Sequence, residues 1–89
     1  MAGPDTTRLD LSLIIARFPG DGALIRRLTL KDETFRAICE EYLLARASLS
    51  WFEALPDGNN RPEAADYRSL IPGIEVEIEQ FLQKSRQPP

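Results

Sequence analysis

The fold is decided by residues 32–55, which have the sequence DETFRAICEEYLLARASLSWFEAL. Apolar side chains recur in this stretch at alternating spacings of three and four residues, the pattern of a helix that packs lengthwise against another helix. This first seam consists of Phe35, Ile38, Tyr42, Ala45, Leu49 and Phe52. Asp32 is a candidate N-cap, and Pro56 is expected to end the helix. We therefore predict one long amphipathic helix over about 32–55.

A second seam with the same spacing follows the turn-rich sequence DGNN at 57–60. It consists of Ala64, Tyr67, Ile71, Ile74, Ile78 and Phe81. Two seams of equal length joined by a short polar loop predict an all-α fold, an antiparallel hairpin of helices at about 32–55 and 62–84. Pro72 removes a backbone hydrogen bond from the second helix, so we expect a kink there and leave open whether the helix breaks.

One or two short N-terminal helices are expected to pack across this hairpin. Four apolar residues before Pro19 share one helical face, namely Leu11, Ile14, Ile15 and Phe18. A strand is the alternative for this segment, because leucines at 9, 11 and 13 alternate with polar residues. The sequence PGDG at 19–22 interrupts the chain, and a second short helix, with Asp21 as a candidate N-cap, is predicted to end at Lys31.

We expect a single domain over residues 9–84, with a flexible N-terminal arm at 1–8 and a flexible tail at 85–89. The chain has 89 residues, a net charge of −3, one cysteine and no histidine. An intramolecular disulfide, a mixed Cys/His zinc site and the usual general base are therefore excluded. The negative charge argues against a nucleic-acid partner, and no apolar run approaches the roughly 20 residues of a membrane helix. We expect a cytoplasmic protein with no metal, no cofactor and no small-molecule substrate.

The side chains that carry reactive groups are better explained as structural. Cys39 lies inside the long helix beside Glu40, whose charge raises a thiol pKa, so we predict a buried core residue rather than a nucleophile. Glu75, Glu77 and Glu79 alternate with apolar residues, and we predict solvated charges because a helix surface offers no cleft to tune an acid pair. We therefore predict that the protein is not an enzyme and has no catalytic residues.

The long helix has more apolar surface than one partner helix covers. A second stripe consists of Leu44, Ala47, Trp51 and Leu55. Either the N-terminal helices cover this stripe, which we favour, or another molecule does. Because exposed tryptophan is enriched at interface hot spots, Leu44, Trp51 and Leu55 are the candidate protein-interaction residues. The predicted function is a protein-interaction or scaffold module, with a protein partner or a second copy in a homodimer as its partner.

The alternative function is a peripheral membrane-surface module. Arg26, Arg27 and Lys31 form a basic cluster, and the apolar stretch Leu11–Phe18 lies nearby in sequence. In this hypothesis the cluster contacts anionic lipid and the stretch inserts beside it. We favour the simpler interpretation, in which the apolar face covers the hairpin core and the basic face is solvated, so a membrane partner is not the preferred expectation.

The sequence DETFRAICEEY at 32–42, followed by ADYRSL at 65–70, resembles small bacterial helical-hairpin proteins of unknown function. Such proteins have a helix of the pattern D-x-x-F-R-x-[LI]-C-E-[DE]-Y, followed by a second helix with a Tyr-Arg-x-Leu segment. The resemblance covers roughly residues 20–83 and implies a bacterial cytosolic hairpin, with no mechanism. Pro72 and Gly73 depart from the continuous second helix that the resemblance suggests.

Overall fold

The computed structural model describes residues 10–86, apart from the side chain of Asn59. All regular structure in this range is helical, which confirms the all-α prediction. The α-helices are α1 (Ser12–Arg17), α2 (Gly22–Lys31), α3 (Glu33–Glu53) and α4 (Pro62–Arg86). Short 3₁₀ turns at Pro19–Asp21 and Gly58–Asn60 lie in the α1–α2 and α3–α4 connections. The predictions for residues 1–8 and 87–89 fall outside the described residues.

Helices α3 and α4 form the predicted antiparallel hairpin. Near the start of α3 the ring of Phe35 packs against Phe81 near the end of α4, with centroids 5.2 Å apart. At the opposite end, Phe52 stacks on Tyr67 with centroids 6.0 Å apart. Residues near the end of one helix therefore contact residues near the start of the other, as antiparallel packing requires.

The two seams supply most of the core between α3 and α4. Phe35 and Tyr42 are fully buried in α3, and Ile78 is fully buried in α4. Leu82, which the seam spacing does not include, is also fully buried. The core therefore extends one residue beyond Phe81, the last position of the second seam.

The N-terminal segment packs across the hairpin as two helices. Residues 12–17 form α1, so the helix is correct for this range and the strand is not. Ile14 of α1 and Ile25 of α2 are fully buried, and Phe18 between the helices is almost completely buried. These residues belong to the same hydrophobic cluster as the hairpin core. The chain from 10 to 86 therefore has one continuous core.

The helix ends agree with only one of the two predicted N-caps. Asp32 accepts a hydrogen bond of 3.0 Å from the backbone N–H of Phe35, which confirms it as the cap of α3. Asp21 precedes α2, but its side chain makes no capping hydrogen bond. Its carboxylate lies 3.4 Å from the Arg86 guanidinium instead. Helix α4 ends at Arg86, two residues beyond the predicted boundary, so residues 85 and 86 belong to the helix and not to a tail. The contact of Arg86 with Asp21 ties α4 to the α1–α2 connection.

Pro72 lies inside α4, and the helix continues on both sides of it. The alternative in which the second helix breaks at Pro72 is therefore wrong. Both Pro72 and Gly73 are exposed, so the proline ring does not displace core side chains.

Candidate interaction surface

The side of α3 that faces away from α4 presents two large apolar side chains to solvent. An α-helix turns by about 100° per residue, so Leu44 and Trp51 lie on the opposite side of α3 from the buried Tyr42. Leu44 is 68% exposed and Trp51 is 62% exposed. Ala47 lies between them and is also exposed. We call Leu44, Ala47 and Trp51 the outer face of α3.

The interpretation in which the N-terminal helices cover this stripe is wrong for the described residues. Helix α1 lies instead beside Leu43, which is half-buried, and leaves Leu44 and Trp51 exposed. Leu55 does not belong to the outer face, because α3 ends at Glu53 and Leu55 is half-buried in the following turn. Of the three candidate interaction residues, the structure brings Leu44 and Trp51 together on one surface and separates Leu55 from them.

A groove of about 300 Å³ lies beside the outer face, between α1 and α3. It is lined by Asp10, Leu13, Leu43, Arg46, Ala47 and Ser50. Ala47 belongs to both the groove and the outer face, so the two form one continuous surface. Leu13 is 45% exposed and extends the apolar surface onto α1. The groove also places an acidic and a basic side chain, Asp10 and Arg46, on the same surface.

A row of aromatic rings restrains Trp51. Its ring meets the Phe52 ring edge-on, with centroids 5.0 Å apart and an interplanar angle of 82°. Phe52 in turn stacks on Tyr67 of α4. Edge-to-face and offset stacked pairs are the favourable geometries for aromatic rings. The exposed tryptophan is therefore anchored to the hairpin through its neighbour.

A polar network that the sequence pattern does not predict joins α1, α3 and α4. The Tyr42 hydroxyl donates a hydrogen bond of 2.8 Å to Glu75 Oε2. Arg46 donates a hydrogen bond of 3.2 Å to the Tyr42 oxygen, and Arg17 of α1 lies 3.3 Å from the same Glu75 oxygen. The prediction that Glu75 is solvated is wrong, since its side chain is only 18% exposed. A seam tyrosine needs a partner for its hydroxyl, and this requirement was the signal in the sequence.

The electrostatics of this network favour a neutral tyrosine. Burial raises the pKa of Tyr42, and the hydrogen bond and charge of Glu75 raise it further, while Arg46 opposes the shift. The hydroxyl therefore keeps its proton at neutral pH and acts as the donor to Glu75. The arrangement fixes the rotation of three helices relative to one another, which is a structural task.

Cys39 is fully buried, which confirms its predicted place in the core. Burial raises the pKa of its thiol to about 12, with a further contribution from the charge of Glu40. The thiolate is the reactive form of cysteine, so this side chain is inert at neutral pH.

The basic cluster of α2 is exposed, whereas the inward-facing residues of the apolar stretch before it are buried. Arg26, Arg27 and Lys31 all lie at the surface. Ile14 and Phe18 belong to the core, so they do not extend into solvent as membrane insertion by the Leu11–Phe18 stretch would require. This placement agrees with an apolar face on the hairpin and a basic face in solvent. The absence of a membrane partner stays a prediction.

Between residues 10 and 86, no three cysteine, aspartate or glutamate side chains come together in a way that suits a metal ion. None of the described helices has the length and apolar character needed to cross a membrane.

Comparisons with models of protein families, with curated proteins and with solved structures find no match. The resemblance to bacterial helical-hairpin proteins therefore stays a prediction.

Proposed function

We propose that this chain is a non-enzymatic helical interaction module that self-associates through the outer face of α3. One observation carries the proposal: Leu44 and Trp51 lie two helical turns apart on one face of α3, and both side chains remain mostly exposed. Removing apolar surface from water contributes roughly 25 cal/mol per Å². This gain is not realised within residues 10–86, and it becomes available when a second molecule covers the face.

The arrangement of the outer face suits a second copy of the chain. In a two-fold symmetric dimer each contact occurs twice, with residue i of one copy against residue j of the other. An antiparallel pair of α3 helices centred near Ala47 places Leu44 of each copy against Trp51 of the other. The small side chain at position 47 allows the two backbones to approach closely. The same spacing that separates the two apolar residues thus makes the surface complementary to itself.

The charges beside the outer face also favour this partner. Asp10 and Arg46 line the adjoining groove with opposite signs. A two-fold axis brings a groove of one copy toward the groove of the other, so an acidic group of one copy meets a basic group of its partner. A partner of strongly acidic or strongly basic character does not gain in the same way from a groove of mixed charge.

The size of the surface sets the expected strength of the dimer. A tryptophan side chain buries about 150–250 Å² when fully covered, so a ring as exposed as Trp51 contributes on the order of 100 Å². The outer face with Leu13 is smaller than the roughly 800 Å² per partner of a standard interface. We therefore expect a reversible dimer with a dissociation constant on the order of micromolar.

The test is sedimentation velocity of the full chain over a wide range of concentrations. The expected result is a monomer–dimer equilibrium that Trp51→Ala and Leu44→Ser both shift to monomer. The matched control is Val76→Ser, because Val76 is 54% exposed on α4, away from the outer face. A protein that stays monomeric at the highest concentrations overturns the proposal. A dimer that Val76→Ser weakens as much as Leu44→Ser overturns the assigned surface.

A further inference from the structure

Helix α2 carries a concentration of positive charge that the rest of the chain does not share. Its ten residues include three basic side chains and no acidic one, so its charge is +3 in a chain of net charge −3. Arg26, Arg27 and Lys31 are all exposed, and within residues 10–86 none of them forms an ion pair. By contrast, Arg17 and Arg86 have carboxylate partners.

An exposed leucine lies among these cations. Leu30 is 86% exposed, the highest value of any large apolar side chain between residues 10 and 86. Residues three and four apart are neighbours on a helix surface, so Arg26 and Arg27 lie next to Leu30 on the preceding turn of α2. Helix α2 cannot rotate to bury this leucine, because Ile25 and Leu28 hold its other side in the core. The leucine is therefore held in solvent by the fold.

We propose that the α2 basic face, formed by Arg26, Arg27, Leu30 and Lys31, binds a membrane surface that contains anionic lipid. Basic side chains contact the headgroups of such a surface while a neighbouring apolar side chain enters the interfacial region. This face is distinct from the outer face of α3, and the proposal does not depend on self-association. The inserting group in this proposal is Leu30 rather than the Leu11–Phe18 stretch, whose Ile14 and Phe18 are buried.

The shape of the face favours lipid over an acidic protein. A protruding leucine needs a matching socket in a rigid protein partner, whereas a lipid interface deforms around it. The α1–α3 groove is lined by residues of α1, α3 and Asp10, and none from α2. A groove between α3 and α4 is lined by Ile38, Glu77, Gln80, Phe81 and Lys84, again without α2. Neither groove therefore offers a recess in this face for an acidic peptide.

The remaining charge of the chain limits the strength of this binding. The residues outside α2 carry a net charge of −6, the difference between −3 and +3. Glu33, at the start of α3, is exposed close in sequence to Lys31. Charges farther away are screened over about 8 Å at physiological ionic strength. We therefore expect weak, reversible binding that decreases as salt is added.

The test is flotation of the full chain with phosphatidylcholine vesicles that do or do not contain phosphatidylserine, at low and at physiological salt. We expect binding only to the phosphatidylserine vesicles. Each cation near such a surface contributes about 1 kcal/mol, so Arg27→Gln should weaken partitioning roughly fivefold. Leu30→Ser should weaken it by roughly tenfold. The matched control is Lys84→Gln, which removes one exposed positive charge from α4 and should change partitioning little.

A fluorescent variant tests insertion directly. Trp51 is the only tryptophan of the chain, so Leu30→Trp combined with Trp51→Phe places a single reporter on the α2 basic face. Its emission should shift to shorter wavelength with phosphatidylserine vesicles and stay unchanged with phosphatidylcholine alone. No flotation at low salt, or equal losses in Arg27→Gln and Lys84→Gln, overturns the proposal. Binding to polyglutamate without binding to vesicles assigns the face to an acidic protein and also overturns it.

Discussion

The Tyr42 hydroxyl and Glu75 Oε2 lie 2.8 Å apart and join the middle of α3 to the middle of α4 by a hydrogen bond. The tyrosine ring is fully buried, and Arg17 of α1 approaches the same carboxylate oxygen. Apolar packing tolerates small rotations of a helix, whereas a hydrogen bond depends on distance and angle. This pair therefore sets the relative rotation of the hairpin helices and the position of α1 beside them.

Removal of the tyrosine hydroxyl should destabilise the fold modestly. Tyr42→Phe leaves the partly buried Glu75 carboxylate with Arg17 but without its hydroxyl donor. A hydrogen bond to a charged group contributes about 1.5–3 kcal/mol, and the remaining ion pair offsets part of the loss. We expect the free energy of unfolding in urea to fall by about 1–2 kcal/mol. A double-mutant cycle with Glu75→Gln should give a coupling of about 1 kcal/mol.

The matched control for this prediction is Tyr67→Phe. Tyr67 is half-buried in α4 and stacks on Phe52 through its ring, so the loss of its hydroxyl should have little effect on stability. Equal losses in Tyr42→Phe and Tyr67→Phe would mean that the bond to Glu75 adds nothing specific to the fold.

Alkaline pH should unfold the protein through its buried thiol. The pKa of Cys39 is raised by burial from 9.0 to about 12, so between these values the folded thiol keeps a proton that the unfolded thiol loses. Stability is therefore fully present below about pH 9 and falls as pH rises toward 12, by at most about 1.4 kcal/mol per pH unit. The raised pKa of Tyr42 acts in the same direction at higher pH.

The measurement is the free energy of unfolding in urea at a series of pH values from neutral upward. Cys39→Ala should have a shallower slope between about pH 9 and about pH 10 than the unchanged chain, whatever its stability at neutral pH. The slopes are compared rather than the absolute values, because the substitution also leaves a small cavity. Parallel curves for the two proteins would show that the thiol does not control the alkaline response.

The hairpin was predictable because the spacing of apolar residues within each helix is enough to identify its buried face. The spacing of Phe35 and Tyr42 on one helix, and of Ile71 and Ile78 on the other, identifies two seams without any knowledge of their mutual distance. The side of α3 that α1 covers was not predictable in the same way. It depends on the backbone path through 18–22, where the chain turns between α1 and α2, and periodicity contains no information on that path.

The same limit explains the errors at the candidate sites. Periodicity shows that Trp51 and Leu44 share a face of α3, but it does not show that the neighbouring helices leave this face exposed. Glu75 follows the seam residue Ile74, so a small rotation of α4 decides whether its carboxylate meets water or Tyr42. The exposure of Leu30 likewise follows from how Ile25 and Leu28 dock α2. Composition alone gives no reason to expect an exposed leucine there.

Gly58 should be essential to the turn between α3 and α4. The residue is buried, and a Cβ atom there would lie 2.8 Å from the Glu53 Cα and 2.9 Å from the Phe52 carbonyl carbon. These are backbone atoms at the end of α3, which cannot move without distorting the helix. Overpacking of this kind costs about 1–3 kcal/mol, so Gly58→Ala should lower the thermal midpoint clearly.

Gly73→Ala provides the matched control for the turn. A Cβ atom at Gly73 meets no other group within 4 Å, and the residue lies inside α4. Alanine is favoured over glycine in a helix interior by about 0.5–1 kcal/mol, so this variant should be more stable than the unchanged chain. Opposite signs for the two glycine substitutions support the turn geometry, and a neutral Gly58→Ala contradicts it.

Pro72 should weaken α4 without being needed for its packing. The helix continues through this exposed residue, although proline cannot donate the backbone hydrogen bond of a helix interior. Pro72→Ala supplies an N–H that can donate to the carbonyl four residues earlier, and proline is about 3 kcal/mol less favourable than alanine in such a position. We expect the free energy of unfolding in urea to rise by about 1–3 kcal/mol.

The matched control is Ser69→Ala, at an exposed position of the same helix. It measures the stability gained from helix propensity alone, and this gain should be smaller than that of Pro72→Ala. If Pro72→Ala instead destabilises the protein, the local geometry imposed by proline is required for α4 to follow α3, and the residue belongs to the determinants of the hairpin.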